Sequence, residues 1–235
     1  MLEVLRSKER GRTKIDWLDS YHSFSFGEYY DPKNMGFGPI RVINDDLIQA
    51  GGGFPTHPHR DMEIVTIVTQ GAVAHRDSSG GEGIIRVGEV QKMSAGKGIF
   101  HSEFNASDKE ILKLYQIWIM PNQNGLKPAY EDIRYEVSEK KNKLLLVASN
   151  NHADGVIFIN QDAKIYLADL ETDKSITYKT EKPRGIYIHV TDGSVEVTET
   201  KLSSGDAIKL SGVESLEIKA TENAGFILFD VVMNF

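Results

Sequence analysis

Apolar residues along this chain gather in short stretches rich in Val, Ile, Phe and Tyr, separated by polar segments. The clearest are Ile40-Arg41-Val42-Ile43, Glu63 to Val68, Leu114 to Met120, Lys143 to Ala148, Ile186 to Val190, Ser194 to Thr198 and Phe226 to Val232. β-Branched and aromatic side chains fit the pleated, half-buried surface of a strand. Asp31-Pro32, Gly51-Gly52-Gly53, Ser79-Gly80-Gly81, Asp192-Gly193 and Gly205-Asp206 punctuate the stretches, and such residues favour turns. Helical periodicity is almost absent; one short helix is expected near Gln161 to Leu167, after the turn-like Asn160. Many short strands between polar turns predict an all-β protein, built as a sandwich or barrel.

The two halves repeat one another weakly. Ile64 to Val73 and Ile186 to Val195 each read as a strand, a tight turn at Gly71 or Gly193, and a second strand. Gly88-Glu89 and Gly205-Asp206 follow at similar distances, each leading into another strand. Self-similarity of this kind is what duplication leaves. Pro121, Asn122, Asn124, Gly125 and Pro128 form a loop-like seam, so the expectation is two tandem barrels, residues 1–125 and 126–235, each of ordinary domain size.

With 235 residues, 40% hydrophobic and 26% charged, the chain has a globular balance and room for a sizeable core. It has no cysteine, which excludes disulfides, thiol catalysis and iron–sulfur clusters. Residues 1–14 are charged and lack an apolar signal core. No stretch approaches the roughly 18 apolar residues of a membrane helix. A cytoplasmic location without a membrane partner is therefore expected. Net charge is −7, and the basic clusters Arg6 to Lys14 and Lys140 to Lys143 are short and interrupted, so direct nucleic-acid binding is not expected.

The sharpest local signal is His57-Pro58-His59. Residues two apart on a strand point to one face, so the two imidazoles can share a metal ion. His101-Ser102-Glu103 repeats the spacing after the glycine turn Ser94 to Gly98. Two such pairs on neighbouring strands can converge inside a barrel. Three nitrogens and a carboxylate suit a first-row divalent ion, with room left for water, substrate or dioxygen. A lone histidine pair is more often an ordinary surface or core pair; the second pair, with its carboxylate, shifts the balance to metal. Glu63 shares strand parity with His57 and His59. On spacing alone it stands as a rival ligand, a partner orienting an imidazole, or a surface acid.

Other residues read more blandly. His75 is expected in a structural hydrogen bond near the pocket mouth, and His189 as a satisfied core residue. Trp118 reads as core, and Asn105 as serving the turn after the metal strand. His22 lies among Trp17, Tyr21, Phe24, Phe26, Tyr29 and Tyr30. That set reads as a packed cluster pinning the N-terminal arm; stacking of a planar aromatic substrate is the rival.

At these residues the sequence resembles the cupin superfamily. Its first motif is matched by Gly53, His57, His59, Glu63 and Gly71; its second by Gly88, a turn with Ser94 in place of Pro and Gly96, His101 and Asn105. Within cupins it is most similar to the pirin family. That likeness runs through Met35 to Gly38, Ile40 to Asp46, Phe54 to Glu63, Gly71 to Gly80, Met93 to Glu103 and Leu114 to Trp118. It covers nearly all of the first 120 residues, whereas the second half is similar mainly in order and length.

The resemblance implies a bicupin of jelly-roll-like barrels with metal in the N-terminal barrel alone; His152 and His189 of the other half are unpaired. It implies His57, His59, His101 and Glu103 as ligands, because pirins retain the residue at Glu63 without using it. It implies one divalent transition metal, Fe(II) first, with Mn, Co, Ni, Cu or Zn as alternatives. The pattern looks like the bacterial bicupins described as quercetin 2,3-dioxygenases. The expected activity is thus metal-dependent cleavage of a flavonol by dioxygen, with Glu103 also serving as base. The rival readings are a non-enzymatic, redox-sensitive regulator acting through protein partners, and a cupin that binds a small molecule without using oxygen.

Overall fold

Each of the seven apolar stretches falls wholly or largely within a strand: Ile40–Ile48, Glu63–Gln70, Leu112–Ile119, Leu145–Ser149, Gly185–Asp192, Ser194–Val197 and Ala224–Val231. The structure is a computed structural model and describes residues 1–181 and 183–234. The strands build two β-barrels, each made of a seven-stranded and a four-stranded sheet. In the first, the larger sheet runs Ala129–Arg134, Glu89–Ser94, Glu63–Gln70, Leu112–Ile119, Ile40–Ile48, Leu18–His22, Gly11–Ile15. The smaller runs Gly53–His59, Ile99–Asn105, Ala72–Asp77, Glu82–Arg86. In the second barrel the larger sheet runs Leu2–Leu5, Ala207–Ser211, Gly185–Asp192, Ala224–Val231, Ala163–Leu170, Leu145–Ser149, Ile157–Phe158. Its smaller sheet runs Ser175–Lys179, Ser215–Ala220, Ser194–Val197, Thr200–Ser203.

The weak sequence repeat is a structural one. Gly71 and Gly193 sit at the same hairpin turn of the two barrels with φ of +75° and +66°, values that side chains other than glycine's rarely tolerate. A Cβ at either would collide with a backbone carbonyl, Ile111 in one barrel and Asn223 in the other.

Strand pairing crosses the expected divide at 125/126 in two places. Ala129–Arg134 pairs with Glu89–Ser94 of the first barrel, and Leu2–Leu5 pairs with Ala207–Ser211 of the second. Each barrel takes an edge strand from the segment that leads into the other, so each covers an edge its partner would leave open. Neither short segment shows locally which barrel it joins, since the pairing is set by partners distant in the sequence.

The helix expected over Gln161 to Leu167 is not formed. Ala163–Leu170 is a strand paired with Leu145–Ser149 on one side and Ala224–Val231 on the other. Both backbone edges there are satisfied by neighbours, a tertiary gain that outweighs local propensity. The only α-helix among the described residues is Val137–Lys140, and no helix there is long and apolar enough to cross a membrane.

Three bodies of apolar packing decide where chemistry can sit. The larger sheets share one cluster across the barrel interface, including Val65, Ile67, Tyr115 and Ile117 from one and Tyr187, Ile227 and Phe229 from the other. The second barrel's interior is a continuous apolar cluster with Ile186, Ile188, Leu216, Ile218, Phe226 and Leu228. The first barrel's interior is split into two smaller clusters, one with Leu18, Ile48, Val68 and Leu114 and one with Ile64, Met93 and Ile99. Buried polar residues, Asn44, Asp46, Thr66, His101, Glu103 and Gln116 among them, lie between. Burying a polar layer disfavours folding unless each group finds a partner; the second barrel's interior is a continuous apolar cluster, with its buried Asp230 paired to Tyr178, Thr180 and Arg184. The polar gap marks the site.

Candidate metal centre

Two adjacent strands of the first barrel carry the histidines, and a local irregularity aims them. Ile99 pairs with His59 and His101 with His57, but Glu103 pairs with Phe54, so Gly53–His59 holds one extra residue, a bulge at Pro55-Thr56. Proline is tolerated at a bulge because no ladder N–H is required there. The bulge also brings the Pro55 carbonyl within 2.8 Å of His57 Nδ1. A carbonyl can only accept, so Nδ1 carries the proton and Nε2 keeps its lone pair. Gly53 lies against the backbone of Glu103 and Phe104, where a Cβ would not fit, and so lets the two strands close.

The rings of His57, His59 and His101 form a near-equilateral triangle, with centroids 4.8, 4.6 and 4.9 Å apart. Their ligand atoms lie within 4.8 Å of one another. His57 Nε2 and His101 Nε2 are 3.1 Å apart. Two nitrogens about 2.1 Å from one ion are separated by about 3.0–3.4 Å, so this pair has the spacing of neighbouring ligands. His59 Nε2 is buried and has no hydrogen-bond partner in the protein, which a bound cation would remedy. Burial, reinforced by the neighbouring imidazoles, pushes His59 down to about 4 and His101 down to about 3. Both are neutral near pH 7, the state that binds metal. The three histidines form a group able to hold a metal ion.

Glu103 lies beside them, buried, with Oε2 3.9 Å from His101 Nε2. Burial raises its pKa, while a hydrogen bond from Gln116 opposes the rise. Gln116 Nε2 donates to Glu103 Oε2 at 2.7 Å, and Trp118 Nε1 donates to Gln116 Oε1 at 3.1 Å. An indole N–H can only donate, so Trp118 fixes which way the amide faces.

His57 and His59 open on a cleft of about 480 Å³, within the usual range for small-molecule sites. Phe26, Phe54 and Trp118 form apolar walls, and Ser20, His22, Asn44 and Asp46 a polar floor. Trp118 stands edge-on to His59 at 4.8 Å and to Phe26 at 5.4 Å. It therefore packs against the core, as expected, and also walls the cleft.

Glu63 faces the other way. It accepts hydrogen bonds from Ser94 Oγ at 3.1 Å and from Asn160, backbone and side chain, at 3.2 and 3.3 Å. His22 belongs to the cleft floor, held by Asn44 Oδ1 and Thr13 Oγ1, each at 2.8 Å. His75 bonds Gln91 at 3.0 Å and stacks on Tyr130. Asn105 locks the turn, donating to Glu110 O at 2.8 Å and accepting from Ser107 N at 3.0 Å. His189 is buried, but it is not satisfied: neither ring nitrogen has a partner. Sequence reading missed Gln116 and Asp46, although a polar residue at an inward position of an otherwise apolar strand was the available signal.

In the second barrel the strands that match those bearing the histidines are Ser175–Lys179 and Ser215–Ala220. Their inward residues, Ile176, Tyr178, Leu216 and Ile218, belong to the apolar interior.

Comparison with known proteins agrees with this geometry. Residues 4–119 match the family model described as Pirin, and residues 146–231 the one described as Quercetinase C-terminal cupin domain. The chain is 43% identical to quercetin 2,3-dioxygenase of Escherichia coli strain K12 over 98% of this chain and 99% of that one. It is 39% identical to a pirin-like protein of Caulobacter vibrioides over 91% and 92%. The solved structure of bacterial pirin YhhW in complex with nickel(II) from Escherichia coli matches with a TM-score of 0.94 at 43% identity, over 98% of this chain and 99% of that one. The chain belongs to the pirin family, and its two barrels are cupin domains.

Proposed function

We propose that this protein is a metal-dependent dioxygenase that opens a flavonol such as quercetin, with one divalent ion held by His57, His59, His101 and Glu103. The observation that carries the reading is the unpartnered Nε2 of His59 in a triangle of imidazoles at the wall of an apolar cleft. The relatives named quercetin 2,3-dioxygenase and the nickel(II) complex of the Escherichia coli pirin support it. Fe(II) is the ion proposed from the likeness to pirins; Mn, Co, Ni, Cu and Zn suit the same donors.

When bound, the ion supplies Lewis acidity that makes a coordinated hydroxyl more acidic. The chain does the rest. Phe26, Phe54 and Trp118 flank a flat ring and exclude water from it. Glu103, made more basic by burial, takes the proton of the flavonol 3-hydroxyl onto its carboxylate. Gln116 holds that carboxylate in place. Replacing Gln116 with leucine removes the donor at similar bulk. Metal affinity is expected to fall about 10–100-fold, as for other partners that orient ligands, measured by calorimetric titration of the metal-free protein.

Elemental analysis of the purified protein beside an oxygen electrode tests the whole reading. Quercetin absorbance should fall with matching oxygen uptake, and both should stop when the metal is chelated. Retained metal with no oxygen uptake would discard the enzyme and leave a metal-binding regulator.

A further inference from the structure

We infer that Asp46 recognises the ligand: its free carboxyl oxygen accepts a hydrogen bond from a phenolic hydroxyl of the molecule that enters the cleft. This rests on the reading of the cleft as the site of a hydroxylated aromatic substrate.

The strand Ile40–Ile48 alternates, and Val42, Asn44, Asp46 and Ile48 turn into the first barrel. The neighbouring acid, Asp45, turns outward to Arg10 at 3.3 Å. Asp46 sits opposite Ser20 on the adjacent strand, whose hydroxyl favours the charged form of its carboxyl group. Oδ1 of Asp46 is buried and has no partner. Asp46 is 2% exposed and lines the cleft floor.

The rest of that floor is already paired. His22 is taken by Asn44 and Thr13, and Gln116 by Glu103 and Trp118. One acceptor is left over. A buried acceptor without a donor destabilises a fold by about 1–3 kcal/mol, and burial accordingly pushes Asp46 up to about 7, aided by the charges of Asp45 and Glu103. Groups that violate the folding rules at a site are commonly the ones that bind. Between aromatic walls, an acceptor of this kind selects a flat molecule with a hydroxyl to donate. A site built to bond a hydroxyl also discriminates strongly against the analogue that lacks it.

The test uses the full-length, metal-loaded protein without oxygen. Binding of quercetin is compared with binding of analogues that each lack one phenolic hydroxyl other than the 3-hydroxyl. At least one analogue should bind the wild type about 10-fold more weakly, the upper end for a single neutral hydrogen bond. Asp46→Ala should bind quercetin weakly and bind that analogue equally well. Asp46→Asn, which keeps an acceptor oxygen, should recover part of the difference. Both variants should retain the metal, and a thermal melt without ligand should show both folded at the assay temperature.

If every analogue keeps its deficit in Asp46→Ala, the inference is overturned and Asp46 serves only the fold. Equal binding of all analogues to the wild type overturns it as well, with no variant needed. If the wild type binds no flavonol at all, the dioxygenase reading falls, and this inference with it.

Discussion

Replacing His101 with alanine is expected to strip the protein of its metal, lowering affinity more than about 100-fold, because partners that merely orient a ligand already carry about 10–100-fold. His101 lies between the other donors, with Nε2 3.1 Å from His57 Nε2 and 3.9 Å from Glu103 Oε2. Removing it leaves the remaining nitrogens on a single strand. The fold should survive, since the missing ring belongs to the metal cluster and to neither apolar cluster of the first barrel. Glu103→Ala and Glu63→Gln separate the two carboxylates that spacing alone left open. The first should lose metal. The second should keep it, losing only stability, because Glu63 bonds Ser94 and Asn160 on the opposite side of the sheet. Metal content after dialysis, read beside a thermal melt, checks all three variants. Loss of metal in Glu63→Gln with retention in Glu103→Ala would reverse the proposed ligand set.

How much of this was written in the sequence depends on the range of the interaction concerned. The strands were legible because apolar and turn residues alternate locally. The two halves were legible because Gly71 and Gly193 answer the same steric demand. His57, His59, His101 and Glu103 were legible as pairs, since parity along a strand is local. Their convergence was not, because it needs the register between Gly53–His59 and Ile99–Asn105 and the bulge within it. Glu63 misled because parity says nothing across a break: it opens a different strand, in the other sheet. The exchange of Leu2–Leu5 and Ala129–Arg134 between barrels was invisible for the same reason, as partners about 200 residues apart in one case leave no local trace. Trp118 and Gln116 looked like ordinary members of an apolar strand, and only the cleft beside them gives them a role.

Acid is expected to destabilise the protein through imidazoles that the fold holds neutral, and His189 isolates the effect because it belongs to neither the histidine cluster nor the cleft. It is fully buried in the strand Gly185–Asp192, edge-on to Tyr115 of the other barrel at 5.3 Å. Burial, and then the charge of Arg10, push it from 6.5 down to about 3, against an opposing pull from Asp206. Unfolded chains take up this proton near pH 6.5 and the folded protein only near pH 3, so between those values the unfolded state binds more protons. The contribution of His189 is therefore complete above about pH 6.5 and is lost as pH falls toward 3, by up to roughly 1.4 kcal/mol per pH unit. His189→Phe fills the space with a ring that cannot charge and removes two unpartnered nitrogens. Urea unfolding between about pH 4 and 8 should show a flatter profile for the variant, with a gain of about 1–3 kcal/mol near pH 5. Parallel profiles for variant and wild type would mean that the proton responsible is taken up elsewhere. His59 and His101 would then be the groups to test, in protein freed of metal.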